Sequence, residues 1–216
     1  MRTHLFQKAL LALLFVSLLS ACSKDDNPTN GGGGGGQNSF TINGAGINNR
    51  TYTVPDAPLG SPFNIFAIGF FEPQENITVI TNVGVAPDDT AGAGVIIGFR
   101  GNQAGNFQGS STQPRIIQVV VGDRAFVGGF DISEPGSPTI TGTTFNLNVT
   151  GYGQVGGRIQ GNYTGTLRQV TGDKGGLGNA SITITGNFNV VRLADDFEDD
   201  DDRTIKPFSY KEKRVY

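Results

Sequence analysis

The run Thr144-Phe145-Asn146-Leu147-Asn148-Val149-Thr150 alternates polar and apolar residues without a break, a period of two that suits an extended strand with one buried face. It puts Phe145, Leu147 and Val149 on one side and Thr144, Asn146, Asn148 and Thr150 on the other. Two further stretches repeat the pattern. Between Arg158 and Arg168, residues Ile159, Gly161, Tyr163, Gly165 and Leu167 share the inward face, while Arg158, Gln160, Asn162, Thr164, Thr166 and Arg168 face solvent. Between Ser181 and Arg192, residues Ile182, Ile184, Gly186, Phe188 and Val190 point inward. Three such strands in succession predict an antiparallel meander. Their glycines fall on the apolar face between large residues, where they are expected to leave room for aromatic rings from the opposed sheet.

Upstream, strand signals are shorter: Ser39 to Asn43, Arg50 to Val54, Asn64 to Phe70, Ile77 to Val83, Gly94 to Phe99, Ile116 to Val121 and Ala125 to Ile132. Breakers separate them, among them Pro55-Asp56, Glu72-Pro73, Pro87-Asp88-Asp89, Gly101-Asn102 and Pro135-Gly136-Ser137-Pro138. Ile116-Ile117-Gln118-Val119-Val120-Val121 is the most continuously apolar and is the choice for a central strand. No window carries a 3.6-residue apolar period, so helix is nearly excluded. Roughly ten strands over residues 39–193 imply an all-β fold, an antiparallel β-sandwich of jelly-roll-like type with two packed sheets. A body of about 155 residues is a comfortable size for one domain with a substantial core.

The N-terminus reads differently. Arg2 and Lys8 precede an apolar run from Ala9 to Leu19 that is too short to span a bilayer, which is the shape of a signal peptide. It ends at Leu19-Ser20-Ala21-Cys22, which holds the only cysteine of the chain. A lone thiol in an exported protein would be an odd, reactive group left over. The segment resembles the lipobox of bacterial lipoproteins. That resemblance implies removal of residues 1–21, lipidation of Cys22 and attachment to a membrane through acyl chains. The following Ser23, Lys24, Asp25 and Asp26 resemble the surface-export signal of Bacteroidota lipoproteins, which implies an outer-membrane protein exposed at the cell surface. Residues 22–38, with the run Gly31 to Gly36, cannot bury apolar surface and are expected to form a flexible tether. As a coil its root-mean-square span would be roughly 20 to 25 Å.

Tyr152-Gly153-Gln154-Val155-Gly156-Gly157, the glycine-spaced strand up to Leu167, and Gly186-Asn187-Phe188-Asn189-Val190-Val191-Arg192 resemble the end of a group of uncharacterised Bacteroidota lipoprotein domains. The likeness covers about the last third of the body, is structural, and assigns no catalytic residues. The chain departs from that group by continuing into residues 194–216. Asp195, Asp196, Glu198, Asp199, Asp200, Asp201 and Asp202 surround Phe197, and five bases follow against one acid. Clustered carboxylates suit calcium, but the alternating Asp-x-Asp-x-Asp-Gly spacing is absent, so a solvated, disordered acidic tail and no metal site is the expectation.

The sole histidine, His4, leaves with the signal peptide, and lipidation consumes the cysteine. Histidine triads, cysteine–histidine pairs and histidine-ligated zinc are then out of reach, and no cofactor is implied. Asp56, Glu72, Glu75, Asp88, Asp89, Asp123, Asp131, Glu134 and Asp173 could in principle serve a carboxylate-based hydrolase, yet nearly all sit beside Pro or Gly in predicted turns and no pair stands out by spacing. Without Arg2 and Lys8 the chain carries 14 bases against 19 acids, a formal charge of −5, which repels nucleic acid. A binding module is left, with a glycan or an envelope protein as partner. There is no tryptophan to stack on a sugar, and Tyr152, on the polar parity beside a turn, is the tyrosine expected to be free for a ligand. Asp89-Thr90-Ala91 resembles the short O-glycosylation motif of exported Bacteroidota proteins, with Thr90 as acceptor. The leading expectation is therefore a surface lipoprotein with a noncatalytic binding or accessory module. The alternative is a structural outer-membrane component that packs against another envelope protein.

Overall fold

A computed structural model describes residues 38–54, 67–86, 92–108, 113–129, 140–171 and 176–195. Within them lie eleven strands and no helix: β1 (Ser39–Gly44), β2 (Ile47–Thr53), β3 (Ala67–Glu72), β4 (Ile77–Gly84), β5 (Ala93–Arg100), β6 (Gly105–Phe107), β7 (Arg115–Val121), β8 (Arg124–Gly129), β9 (Thr144–Tyr152), β10 (Arg158–Thr171) and β11 (Gly176–Arg192). Each of the ten expected strands is present. Residues 64–66 and 130–132, expected at the ends of two of them, lie outside the described residues. The additional strand, β6, is three residues long with one buried side chain, Phe107, too short to show a period.

The strands join in the order β2-β1-β11-β3-β4-β5-β7-β8-β10-β9-β6, and a further pairing of β10 with β11 closes the sheet on itself. Seven strands, β11-β3-β4-β5-β7-β8-β10, thus form a ring. The ring is closed at two narrow corners. At one, Val191 and Arg192 run parallel to Ile68 and Gly69. At the other, Arg168 and Gln169 pair with Val127 and Phe126. These contacts lie at opposite ends of the β10–β11 ribbon, so the ring is sheared and its strands tilt, as closure requires. Two flanks face each other across the interior: β2-β1-β11-β10-β9-β6 and β3-β4-β5-β7-β8. The all-β, mostly antiparallel and sandwich-like fold is the one expected, but the two sheets expected are joined into one mixed sheet through the parallel β3–β11 pair and the β8–β10 pair. β7 is the interior strand expected of Ile116 to Val121, held between β5 and β8.

One core cluster draws from both flanks, including Phe40, Ile42, Tyr52, Ile80, Ile97, Phe99, Ile117, Phe126, Leu147 and Phe188. Burial of each large side chain contributes about 1.5–3 kcal/mol. The inward glycines work in another way than expected. A Cβ on Gly161 would meet Cζ of Phe188 at 2.4 Å, and one on Gly186 would meet the Tyr163 hydroxyl at 2.5 Å. Phe188 and Tyr163 are the ladder partners of those same glycines. The rings that use these gaps thus come from the neighbouring strand of the same flank, not from the opposed sheet. A ring can lie flat over a backbone without Cβ, and the adjacent strand brings one closest. Tyr163 then stacks on Phe188 at 6.4 Å between ring centroids.

Asn38, assigned by the sequence to the end of the tether, belongs to the fold. It is buried, its Nδ2 donates to the Asn189 carbonyl at 3.1 Å, and its Oδ1 accepts the Asn189 N–H. The side chain thus mimics one further ladder step beside β11, and its own carbonyl accepts from the Val54 N–H. The chain enters here and leaves the described residues after Asp195, so both connections depart at the C-terminal end of β11.

Candidate binding face

The outward side chains of β1, β2, β6, β9, β10 and β11 form one surface, because ladder partners on adjacent strands point to the same side. The registers sort them into rows that cross the strands. One row runs Thr51, Thr41, Thr185, Thr164, Asn146. The next runs Thr53, Ser39, Asn187, Asn162, Asn148, Asn106. A third holds Asn43, Thr183, Thr166 and Thr144. Most of these residues are exposed. Hydroxyls pair along the first row, Thr41 with Thr51 at 2.8 Å and Thr164 with Thr185 at 3.4 Å. In the second, Oδ1 of Asn187 accepts the Ser39 N–H at 2.9 Å. Among the described residues, the side chains of Asn162, Asn148 and Asn106 have no hydrogen-bond partner.

Among the described residues, charge on this face is confined to its ends. Arg158 and Arg168 stand at opposite ends of the outward side of β10 and are committed to backbone carbonyls: Arg158 to Asn189 at 3.1 Å, Arg168 to Gly178 at 2.7 Å and to Thr141 at 3.2 Å. The alternation in β9, β10 and β11 already marked these residues as solvent-facing. Their alignment into rows had no sequence signal, since it depends on pairing register.

Tyr152 occupies a different place from the one its parity suggested. Along β9 the register slips between the Gln160–Gly151 and Gly161–Val149 pairs, a bulge that adds one residue and turns Tyr152 to the side of its partner Ile159. It is half-buried, packs against the core and donates to or accepts from Thr78 Oγ1 through its hydroxyl at 2.7 Å. The Arg192 guanidinium lies 4.8 Å from its ring centroid, and Arg192 Nη2 donates to both carboxylate oxygens of Asp195 at 2.7 Å. Burial raises the phenol pKa, with Asp195 acting in the same direction and the Thr78 bond and Arg192 against it. Thr78, Tyr152 and Arg192 therefore plug one end of the ring. At the β1–β2 turn, Arg124 Nη1 donates to the Ala45 carbonyl and ties that hairpin to the opposite flank.

A group missed from the sequence is Arg115, which is 1 % exposed at the start of β7. Its Nε donates to the Phe145 carbonyl at 2.7 Å and its Nη1 to the Gln113 carbonyl at 3.0 Å, and burial lowers its pKa. The signal was present in parity: Arg115 shares the inward face of Ile117, Val119 and Val121.

Cys22, Ser23, Lys24, Asp25, Asp26 and Thr90 lie outside the described residues, as do Asp56, Asp88, Asp89, Asp131, Glu134 and Asp173. Of the remaining acids, Glu72 closes β3, Glu75 lies in the β3–β4 turn, Asp123 lies in the β7–β8 turn and Asp195 is paired with Arg192. Among the described residues no three acidic, histidine or cysteine side chains come together as metal ligands. Compared with known proteins, the chain matches no family model, no curated protein and no solved structure at a significant level.

Proposed function

We propose that this chain is a lipid-anchored outer-membrane protein, held through Cys22 and exposed at the cell surface, whose β-sandwich is a noncatalytic binding or accessory module. The observation that carries the reading is the neutral, solvent-open face of aligned Thr and Asn side chains. A soluble surface ordinarily intersperses charges of both signs. Here the middle of a broad sheet face offers only hydroxyls and carboxamides, groups that recognise a partner by hydrogen bonds and not by charge. The point of attachment supports the same reading. Asn38 is fixed to β11, so the chain leading back to Cys22 departs from one defined end of the domain.

The test is protease shaving of intact cells, with the native chain against a variant carrying Lys24→Ala, Asp25→Ala and Asp26→Ala. Cleavage of the native chain and protection of the variant is the expected result. Protection of both, with cleavage only after lysis, would move the domain to the periplasm. The alternative, a structural component bound to an envelope protein, draws on the charged extension, which leaves the domain at the same end as the tether. Loss of a cross-linked membrane partner on deletion of residues 194–216, with the fold intact, would favour it.

A further inference from the structure

We infer that the ligand of this module is a neutral polysaccharide chain that lies across the strands along the asparagine row Asn187, Asn162, Asn148, Asn106. The inference rests on the reading of the domain as a binding module and specifies its ligand class and site.

The row crosses four adjacent strands, β11, β10, β9 and β6, with each asparagine the direct ladder partner of the next. Adjacent strands repeat every 4.7–4.9 Å or so, close to the advance of one sugar unit along an extended chain. Each carboxamide offers one acceptor and two donors, the pattern that a pair of neighbouring sugar hydroxyls can satisfy. On Asn162, Asn148 and Asn106 these groups have no hydrogen-bond partner among the described residues, so a ligand would displace only water. The threonine row beside it, with Thr185, Thr164 and Asn146, extends the same chemistry over the width of a second chain or of a branch.

Two physical facts narrow the occupant. The charged residues on this face among those described, Arg158 and Arg168, are at its ends and engaged with backbone carbonyls, so none of the described charges favours an anionic polymer. Twist excludes a rigid lattice. Adjacent strands rotate by roughly 20–25°, so rows of side chains splay progressively, which a flexible chain follows and a crystalline surface does not. Among the described residues no exposed aromatic platform lies on this face, so the contact rests on hydrogen bonds and is expected to be individually weak and additive along the chain.

The test is affinity electrophoresis of the purified full chain in gels containing hydroxyethyl cellulose, glucomannan or arabinoxylan, with alginate and polygalacturonate as anionic counterparts. Retardation by at least one neutral polymer, retained at about 1 M salt where the Debye length is roughly 3 Å, is the expected result. Combined Asn162→Ala, Asn148→Ala and Asn106→Ala should weaken it by about tenfold or more. Asn162→Asp alone, an isosteric change at an exposed position, should weaken it measurably, and Gln74→Ala in the β3–β4 turn should not. Retardation by the anionic polymers alone, abolished by salt, would overturn the neutral ligand and leave the binding module standing. Retardation that the triple variant does not change would overturn the site. No retardation in any gel, or a self-associating chain that the triple variant converts to monomer, would overturn the inference, and surface shaving would then decide separately on the broader reading.

Discussion

The outer faces of the two flanks are built to opposite rules. On β4 and β5 nearly every residue is buried, whichever way it points. Ile77, Val79 and Ile96 form a second small cluster with Phe70 and Ile116, separate from the main core. Burial alternates along β10 from Arg158 to Leu167 and along β11 from Ser181 to Phe188, and the outward residues in the middle of these stretches are threonine and asparagine. The same backbone arrangement, an antiparallel sheet over a shared core, thus carries an apolar outer face on one side and a neutral polar one on the other. The difference teaches that outward direction does not by itself mean solvent, and that exposure on the β10–β11 side is a property of its residues.

The largest effect that would break this contrast is a charge on the apolar side. Ile96 is 7 % exposed, and Ile96→Asp should cost roughly 3 kcal/mol or more, read as a shift of the urea midpoint, because a carboxylate there has no described partner. A near-neutral result would mean that the β4–β5 outer face is open. Beneath the polar face the tolerance is also low. Gly161→Val places a Cβ 2.3 Å from the Asn148 carbonyl and 2.4 Å from Phe188, so destabilisation at the upper end of the 1–3 kcal/mol or so typical of overpacking is expected.

Tyr163→Phe should act in the other direction. The hydroxyl of Tyr163 is fully buried and has no hydrogen-bond partner among the described residues, so its removal should stabilise the domain by about 1 kcal/mol. Burial holds its pKa above the ordinary 10.0. A raised pKa in the folded state means that stability is fully present below pH 10.0 and declines as the pH rises beyond it, by up to about 1.4 kcal/mol per unit. Urea titrations above pH 10.0 should show a shallower decline for the variant than for the native chain, and equal slopes would refute the assignment. The smallest effect belongs to the polar face itself. Thr185→Lys, at an exposed position in the middle of that face, should change stability by less than about 0.5 kcal/mol.

Much of the fold was legible in the chain. Period two in residues 144–150, 158–168 and 181–192 assigned the inner and outer faces of the last three strands, and the continuous apolar run in 116–121 marked an interior strand. Tyr152 was misplaced because a bulge is a mismatch between two strands, and neither strand alone records it. Arg115 lies one residue before the apolar run 116–121, where a charge reads as the solvated end of a strand, and only the packing of β7 against Phe145 shows that it is buried. The candidate face was half legible: that Asn162 and Asn148 point outward follows from alternation, whereas their adjacency follows from pairing.

The sequence by itself determined the class of fold and the chemistry of each strand face, since side-chain direction in a strand depends on residue count alone. Only the tertiary structure decided that β10 meets β11 to close the ring, that β3 runs parallel to β11 at one corner, and that four asparagines from four strands fall into line. Those outcomes depend on register between segments far apart in the chain, and register is fixed by the packing of the whole core and not by any local run of residues.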